Sequence, residues 1–166
     1  NGTTVQNGTQ GNQATYEKVS ITTGADNTGY LEIHNESANG TETFQIFMSE
    51  GYRLEYTNKS QSITKLATEE KVVTVGAVDY EDLGIRSYSS RGPTVDGRRG
   101  IDLVGPDGVT TYHYGPASDG GFTGTSAAAP HAAGVAALLY DARNRQVSPS
   151  EVNTTLTETA DAINTA

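Results

Sequence analysis

Apolar and polar positions alternate along much of the stretch between Tyr16 and Thr57, as they do in β-strands that bury one face. Turn-forming residues at 24–27 and 35–40 interrupt the alternation. The pattern predicts about four antiparallel strands that belong to a β-sandwich, because four strands alone leave an apolar face uncovered. The alternating stretches are 19–23, 30–33, 44–48 and 53–56.

The pattern changes near residue 60. Val72–Val78 is a nearly continuous apolar run, which is typical of a strand buried on both faces in a parallel sheet under helices. We therefore expect an α/β arrangement in the second part of the chain. Weaker signals predict a short helix or irregular connection over 62–70, a strand at 101–104, a turn at 105–108 and a strand at 109–114.

The clearest helix signal is an alanine-rich segment that starts at Thr125 and continues to about Arg143. Thr125 is predicted to cap the N-terminus of this helix, and Pro130 removes one hydrogen bond near its start. No polar stripe follows the helix, so we expect it to be buried on nearly all sides. A second helix, on the surface, is predicted from residue 148 or 149 to about 159.

These changes in pattern divide the chain into three predicted parts. Residues 1–15 are polar and lack periodicity, so they are expected to form a disordered linker. Residues 16–60 are expected to form the antiparallel β-rich unit, and residues 61–166 to hold the parallel sheet and the helices. The predicted fold class is therefore α/β with an incomplete parallel sheet, plus part of a β-sandwich.

Composition and charge narrow the classes of function. The net charge of −9 and the pI near 4.7 disfavour binding to nucleic acid and to anionic membranes, because both are negatively charged. The absence of cysteine excludes disulfides, thiolate catalysis and cysteine-ligated zinc. No apolar run approaches the roughly 20 residues of a membrane-spanning helix. We therefore expect neither a nucleic-acid partner nor membrane insertion.

Six Asn-x-Ser/Thr sequons favour an extracellular or cell-surface protein with exposed loops. Threonine and serine are abundant in the chain, so chance supplies some of these sequons. The cluster still favours secretion. The sequons begin at Asn1, Asn7, Asn35, Asn39, Asn58 and Asn153.

Gly124-Thr125-Ser126 gives a serine the setting that a nucleophile needs. A serine hydroxyl requires a base to take its proton and donors to hold the oxyanion that forms. A glycine permits a sharp turn, and Ser126 then falls in the first helical turn. There the backbone N–H groups lack partners and the helix dipole favours negative charge. By itself such a sequence is more often a helix cap than a catalytic site.

Longer segments distinguish between these interpretations. Residues 122–134, FTGTSAAAPHAAG, closely resemble the nucleophile signature of the subtilisin-like serine peptidases, or subtilases. Residues 87–94, SYSSRGPT, resemble the loop that this family places upstream, and residues 73–78, VTVGAV, resemble the strand before that loop. The three matches follow the order of the family. The resemblance implies that Ser126 is the catalytic nucleophile and that Gly124 and Thr125 form the nucleophile and oxyanion loop.

The resemblance also implies a serine endopeptidase that cleaves protein or peptide substrates through an acyl-enzyme. In subtilisin itself a histidine acts as the base, an aspartate orients it, and their order along the chain is Asp, His, Ser. The family places an oxyanion-hole asparagine on a Gly-Asn loop between the histidine and the serine. Gly11-Asn12 is the only such dipeptide before Ser126, and it lies in the predicted linker. The expected asparagine is therefore not found.

The three histidines do not fit the role of the base. His34 ends a predicted strand, and His113 lies in a predicted strand or hairpin. His131 follows Pro130 on the serine helix, where the family pattern makes it a structural residue. The upstream aspartate and histidine of the family are thus missing from this sequence.

The simplest hypothesis is that residues 61–166 are the C-terminal part of a subtilisin-like catalytic domain and that residues 16–60 are a β-rich insert. The remainder of that domain would be the main partner, and this chain alone would be inactive. The alternative is a non-catalytic binding or structural module derived from a peptidase fold. An aspartate and a histidine in family contexts upstream in the gene would support the enzyme.

The segment 99–108, RGIDLVGPDG, departs from the family, which usually has Lys-Pro-Asp before this short strand and Ala-Pro-Gly after it. Loss of the first proline puts the local loop shape in doubt and leaves the nucleophile unaffected. No cofactor is predicted. The acidic residues at 79–82, and Asp102 with Asp107, lack EF-hand spacing and are interpreted as parts of solvated loops. Calcium binding by the full-length protein is left open.

Overall fold

The computed structural model separates the chain into two compact units, Asn1–Gln45 and Ile46–Ala166. In the first unit the described residues carry no helix or strand. The helices and strands of the described residues all lie in the second unit. The structure describes residues 30–33, 39–40, 45–48 and 54–163.

The antiparallel β-rich unit predicted for residues 16–60 is not shown. Residues 30–33, 45–48 and 54–56, which cover parts of three predicted strands, are described and contain no strand. An alternating segment forms a strand only where a neighbouring strand supplies hydrogen bonds and an apolar layer covers one of its faces. Tyr30, in the first of these segments, is fully exposed, so no such layer covers it. The predicted strand at 19–23, the linker 1–15 and His34 lie outside the described residues.

Two parallel strands form the centre of the second unit. Strand β1 spans Val75–Asp79 and pairs with strand β2, Leu103–Asp107, so that Asp79 lies opposite Asp107. Gly76, Ala77 and Val78 in β1 are buried. The apolar run 72–78 therefore forms a parallel strand as predicted.

Strand β2 begins and ends later than the sequence suggested. The prediction of a strand at 101–104 followed by a turn at 105–108 was wrong, because β2 continues to Asp107. Pro106 lies opposite Val78 in the parallel register. In the described residues β2 pairs with β1 along one edge only, so its other edge needs no N–H donors. A proline, which lacks an N–H, is therefore tolerated in this strand. Only Gly108, with a φ of +74°, leaves the strand conformation.

The connections around the sheet are short and irregular. The prediction of a short helix or irregular connection over 62–70 is confirmed by a single 3₁₀ turn at Lys65–Thr68. The predicted strand at 109–114 was wrong, since this segment turns back on itself through paired hydrogen bonds between Thr111 and Gly115. A second 3₁₀ turn, Ala117–Asp119, follows.

Helix α1 spans Thr125–Ala142 and packs on both strands, so its predicted bounds are confirmed within one residue. Ala127 and Ala128 are buried against the sheet. The expectation of burial on nearly all sides was wrong for this chain, because Leu138 is 73% exposed and Val135 is 53% exposed. A sheet of two strands covers only the first turns of an 18-residue helix. No helix in the described ranges is both long enough and apolar enough to span a membrane.

Helix α2, Pro149–Thr159, forms where the sequence predicted it. The hydroxyl of Ser148 accepts a hydrogen bond from the Glu151 amide at 3.2 Å, and the Ser148 amide donates to the Glu151 carboxylate at 2.8 Å. These two bonds form a capping box and satisfy donors at the start of the helix. The hydrogen bonds from the Ser148 amide and then from its hydroxyl lower the pKa of Glu151.

The substitution Ser148→Ala should lower the free energy of unfolding by about 1 kcal/mol, because it removes the hydroxyl that holds the first turn of α2. Urea denaturation of the chain measures this change. Ser150→Ala is the matched control, since Ser150 lies inside the helix and alanine is the better helix former. Equal losses for both variants would show that the cap does not stabilise the helix.

Candidate active site

The segment before α1 turns sharply at Gly124, which has a φ of +117° and a ψ of +163° and occupies the N-cap position. The prediction that Thr125 caps the helix was wrong, because Thr125 is the first helical residue. A residue with a side chain would be strained at such a positive φ, so a glycine occupies the N-cap position. Glycine has no side-chain oxygen with which to cap the helix. No side-chain cap bond forms at this end of α1. Among the described residues, the amides of Thr125 and Ser126 have no acceptor and therefore stay available to a ligand.

Ser126 is the second residue of α1 and is exposed, whereas Ala127 and Ala128 directly after it are buried. The amide of Ala127 donates to the Gly124 carbonyl at 2.8 Å, which closes the first turn. Pro130 has no N–H to donate to the carbonyl of Ser126 four residues earlier. The structure thus places an accessible hydroxyl on a packed segment, at the positive end of a helix.

Asp107, at the end of β2, is completely buried and contacts the loop before the serine. The amide of Gly124 donates to its Oδ1 atom at 2.6 Å, and Arg86 Nε donates to its Oδ2 atom at 2.9 Å. The Tyr88 hydroxyl also donates to Oδ2. The interpretation of Asp107 as part of a solvated loop was therefore wrong. A buried carboxylate is stable only when charge and hydrogen bonds compensate it, and these three donors do so.

The segment around residues 86–89 joins this carboxylate to strand β1. Arg86 forms a second ion pair with Asp79 at 2.8 Å, so one guanidinium bridges the carboxyl ends of both parallel strands. The Arg86 amide donates to the Ala77 carbonyl at 3.0 Å, and the Ser89 hydroxyl accepts from the Ala77 amide at 3.0 Å. The three segments at 73–78, 87–94 and 122–134 that carry the family resemblance therefore meet in space.

Strand β2 and helix α1 approach each other closely at Gly105. A Cβ atom on Gly105 would lie 2.5 Å from the carbonyl oxygen of Ala128 and 3.1 Å from its Cα atom. Such distances are far below van der Waals contact, so only glycine fits at the present separation. Gly105 thus determines how near the serine-bearing turn lies to the sheet.

The hydroxyl of Tyr88 points at a buried carboxylate, which makes its ionisation unfavourable. Burial and then the hydrogen bond to Asp107 raise the pKa of Tyr88 above its ordinary value of 10.0. The neutral phenol is the form that donates to Asp107. Stability from this interaction is therefore fully present below pH 10.0 and is lost as the pH rises through the higher pKa of the folded chain.

We expect Tyr88→Phe to be less stable than the parent chain near neutral pH and to lose less stability above pH 10.0, because it has no phenol to ionise. The stability difference between the two should therefore shrink as the solution becomes more alkaline. Urea midpoints across the alkaline range measure it. Parallel curves for the two proteins would contradict the assigned role of the Tyr88 hydroxyl.

Neither described histidine is placed as a base for Ser126. His131 Nδ1 lies 2.8 Å from the Ala127 carbonyl, and since a carbonyl only accepts, this nitrogen carries the proton. His113 packs edge-on against Tyr114 with ring centroids 5.0 Å apart. No hydrogen bond joins Ser126 to either histidine in the part of the chain that the structure describes.

Acidic residues at the positions considered for calcium accept hydrogen bonds from the protein itself. Asp102 accepts a hydrogen bond from the Thr74 amide at 2.7 Å, and the Asp79 carboxylate accepts from the Glu81 amide at 2.8 Å. Among the described residues, no group of three or more His, Asp or Glu side chains is arranged to hold a metal ion.

Two parallel strands under a helix that carries an exposed serine in its first turn are consistent with the α/β class of serine peptidases. The sequence profile of the subtilase family matches residues 2–166, and the chain belongs to this family. The match extends well beyond the three segments that carry the resemblance.

Two curated relatives are serine proteases. The chain is 36% identical over 113 residues to serine protease AprX of Bacillus subtilis (strain 168). This alignment covers 56% of the present chain and 25% of AprX. The chain is also 36% identical over 107 residues to the thermophilic serine proteinase of Bacillus sp. (strain AK1). This second alignment covers 64% of the present chain and 24% of the proteinase. The chain thus spans about a quarter of the length of these relatives. No solved structure matches it significantly.

Sequence reasoning missed the contacts that hold the serine loop in place. Asp107 and Tyr88 lie 19 residues apart, and nothing in the local pattern links them. The usable signal was the departure from Ala-Pro-Gly, which places an acidic residue directly after Pro106 at the end of a strand. A charged residue at that position needs partners, and Arg86 is a cation directly before the motif at 87–94.

Proposed function

We propose that this chain is the serine-bearing part of a subtilisin-like endopeptidase, in which Ser126 attacks the carbonyl carbon of a peptide bond. The exposure of Ser126 in the first turn of α1, two residues after the N-cap glycine, carries this proposal. An accessible hydroxyl and amides without an internal acceptor then lie side by side. Membership of the subtilase family and two serine-protease relatives support it.

The chemistry assigned to the chain has two parts. Ser126 Oγ forms the ester bond of an acyl-enzyme as its proton passes to a base and the amine leaves with a proton; water then hydrolyses the ester. The amides of Thr125 and Ser126, which have no acceptor within the described residues, donate toward the oxyanion of each tetrahedral intermediate. The base, the aspartate that orients it and the asparagine donor would come from the remainder of the catalytic domain.

The proposed substrates are proteins or peptides, and the proposed setting is extracellular or at the cell surface. The sequon residues Asn39 and Asn58 are exposed, as glycosylation requires. The net charge of −9 supports the absence of a nucleic-acid partner. A peptidase of this kind needs no cofactor for the steps assigned to Ser126.

A fluorophosphonate probe tests the proposal because it reacts covalently with activated serine nucleophiles. We expect the intact natural protein to be labelled and mass spectrometry to locate the label on Ser126. The 166-residue chain alone should not be labelled, because no base contacts its serine in the described residues.

Each result separates the hypotheses. Labelling of the intact protein at another residue, or no labelling in a protein that folds, would contradict the peptidase and support a non-catalytic module. Rapid labelling of Ser126 in the isolated chain would instead overturn the proposal that the remainder of the catalytic domain is required.

A further inference from the structure

Asp107 is a buried charge that the proposed chemistry does not use. Its side chain is completely buried, and a carboxylate at such a position costs stability unless its partners compensate for the lost water. The partners are Arg86, Tyr88 and the Gly124 amide. Two of them belong to one segment of the chain, and the third lies two residues before Ser126.

The bond to Gly124 is the one that reaches the proposed nucleophile. Gly124 is the N-cap of α1, and its amide lies 2.6 Å from Asp107 Oδ1. Hydrogen bonds to an ionised acceptor are shorter and stronger than neutral ones. This bond holds the peptide plane between Thr123 and Gly124, through which the chain enters α1. It therefore restrains the direction of the first-turn N–H groups and of the Ser126 side chain.

We propose that Asp107 is a positioning residue that holds the Gly124 amide, and through it the Ser126 hydroxyl and the first amides of α1, in the orientation that acylation requires. The proposal rests on the proposed function of Ser126. Asp107 acts through Gly124 and does not itself touch the substrate.

Arg86 makes such a residue compatible with an oxyanion site. A carboxylate without a counter-charge near the start of α1 would oppose the negative charge that develops there. Arg86 Nε lies 2.9 Å from Asp107 Oδ2, and its Nη2 atom lies 2.8 Å from Asp79. The guanidinium offsets the carboxylate charge and is itself held at the end of β1. The loop is thus anchored to both strands of the sheet.

The test uses the intact natural protein and compares Asp107→Ala with Asp96→Ala. Asp96 is the matched control because it also accepts from an arginine Nε, that of Arg98 at 2.9 Å, and from a hydroxyl, that of Thr94. Within the described part of the chain, Asp96 forms no hydrogen bond to the loop before Ser126. The readouts are the rate of labelling by a fluorophosphonate per folded molecule, and kcat and KM with a peptide substrate.

We expect Asp107→Ala to lower both the labelling rate and kcat on the order of 100-fold, the size of loss that a displacement near 1 Å produces. KM should change little, because Asp107 does not contact the substrate. Asp96→Ala should keep the parent rates. A folded Asp107→Ala protein with the parent labelling rate and kcat would overturn the proposal, even if its melting temperature were lower.

Asp107→Asn keeps the proposal testable where the alanine variant does not fold. The amide has the shape of the carboxylate, yet its NH₂ group is a donor, so it cannot accept from all three partners. We expect a folded Asp107→Asn protein to be labelled at least about tenfold more slowly than the parent protein. Parent-like labelling would overturn the positioning role. Failure of the parent protein itself to react would count against the proposed function instead.

Discussion

Ser126→Ala in the intact protein should reduce peptide hydrolysis on the order of 10⁶-fold, the loss established for removing the nucleophile of subtilisin, a member of this family. The reason is that no acyl-enzyme can form without the hydroxyl. Initial rates on a chromogenic peptide measure the loss. Covalent labelling by a fluorophosphonate should disappear completely.

The fold should survive this substitution, which makes the loss of activity interpretable. Ser126 is exposed, and its hydroxyl forms no hydrogen bond within the described part of the chain. Alanine is also the better helix former, so the variant should be as stable as the parent or slightly more stable. Ser150→Ala, on helix α2, is the control for serine removal and should retain full activity. A Ser126→Ala protein that still hydrolyses peptides at the parent rate would remove Ser126 from the mechanism.

The helices were predictable because their signals are local. The alanine-rich segment of α1 and the Ser148–Glu151 capping box each lie within a few turns of chain, and both helices form where the sequence placed them. The burial of α1 was not predictable in the same way. An apolar helix indicates that something covers it, but the covering layer is set by contacts with distant segments, and in the described part of the chain two strands supply most of it.

The strands and the contacts of the site depended on pairings that the sequence does not display. Residues 105–107 have the composition of a turn, yet pairing with β1 draws them into a parallel strand and carries Asp107 into the interior. Pairing between segments about 28 residues apart thus overrides local turn preference. Once β2 is extended in this way, Asp107 meets Arg86 and Gly124. Neither contact follows from the three motifs alone.

Gly105→Ala should destabilise the chain by about 1–3 kcal/mol, the usual cost of inserting a methyl group into a packed contact. The new Cβ would lie 2.5 Å from the carbonyl oxygen of Ala128 and 3.0 Å from its carbonyl carbon. Both atoms belong to the backbone of α1, so no side-chain rotation relieves the clash. The helix must move away from β2, and the burial of Ala127 and Ala128 is reduced.

The same displacement should reach the serine. The Gly124 amide is hydrogen-bonded to Asp107, which lies two residues after Gly105 on β2. Helix α1 therefore cannot move away from β2 without straining this hydrogen bond. We therefore expect Gly105→Ala to slow labelling of Ser126 in the intact protein as well as to lower stability. Urea denaturation of the chain measures the stability, and labelling per folded molecule measures the effect on the site.

Gly134→Ala, in helix α1, is the control for stability, and it should change the free energy of unfolding in the opposite direction. Nothing lies within 4 Å of a Cβ built on Gly134, so alanine should add up to about 1 kcal/mol of helix stability there. Both substitutions add one methyl group, which meets the backbone of α1 at Gly105 and open space at Gly134. If Gly105→Ala were as stable as the parent chain, the close contact between β2 and Ala128 would not be what sets the position of the serine-bearing turn.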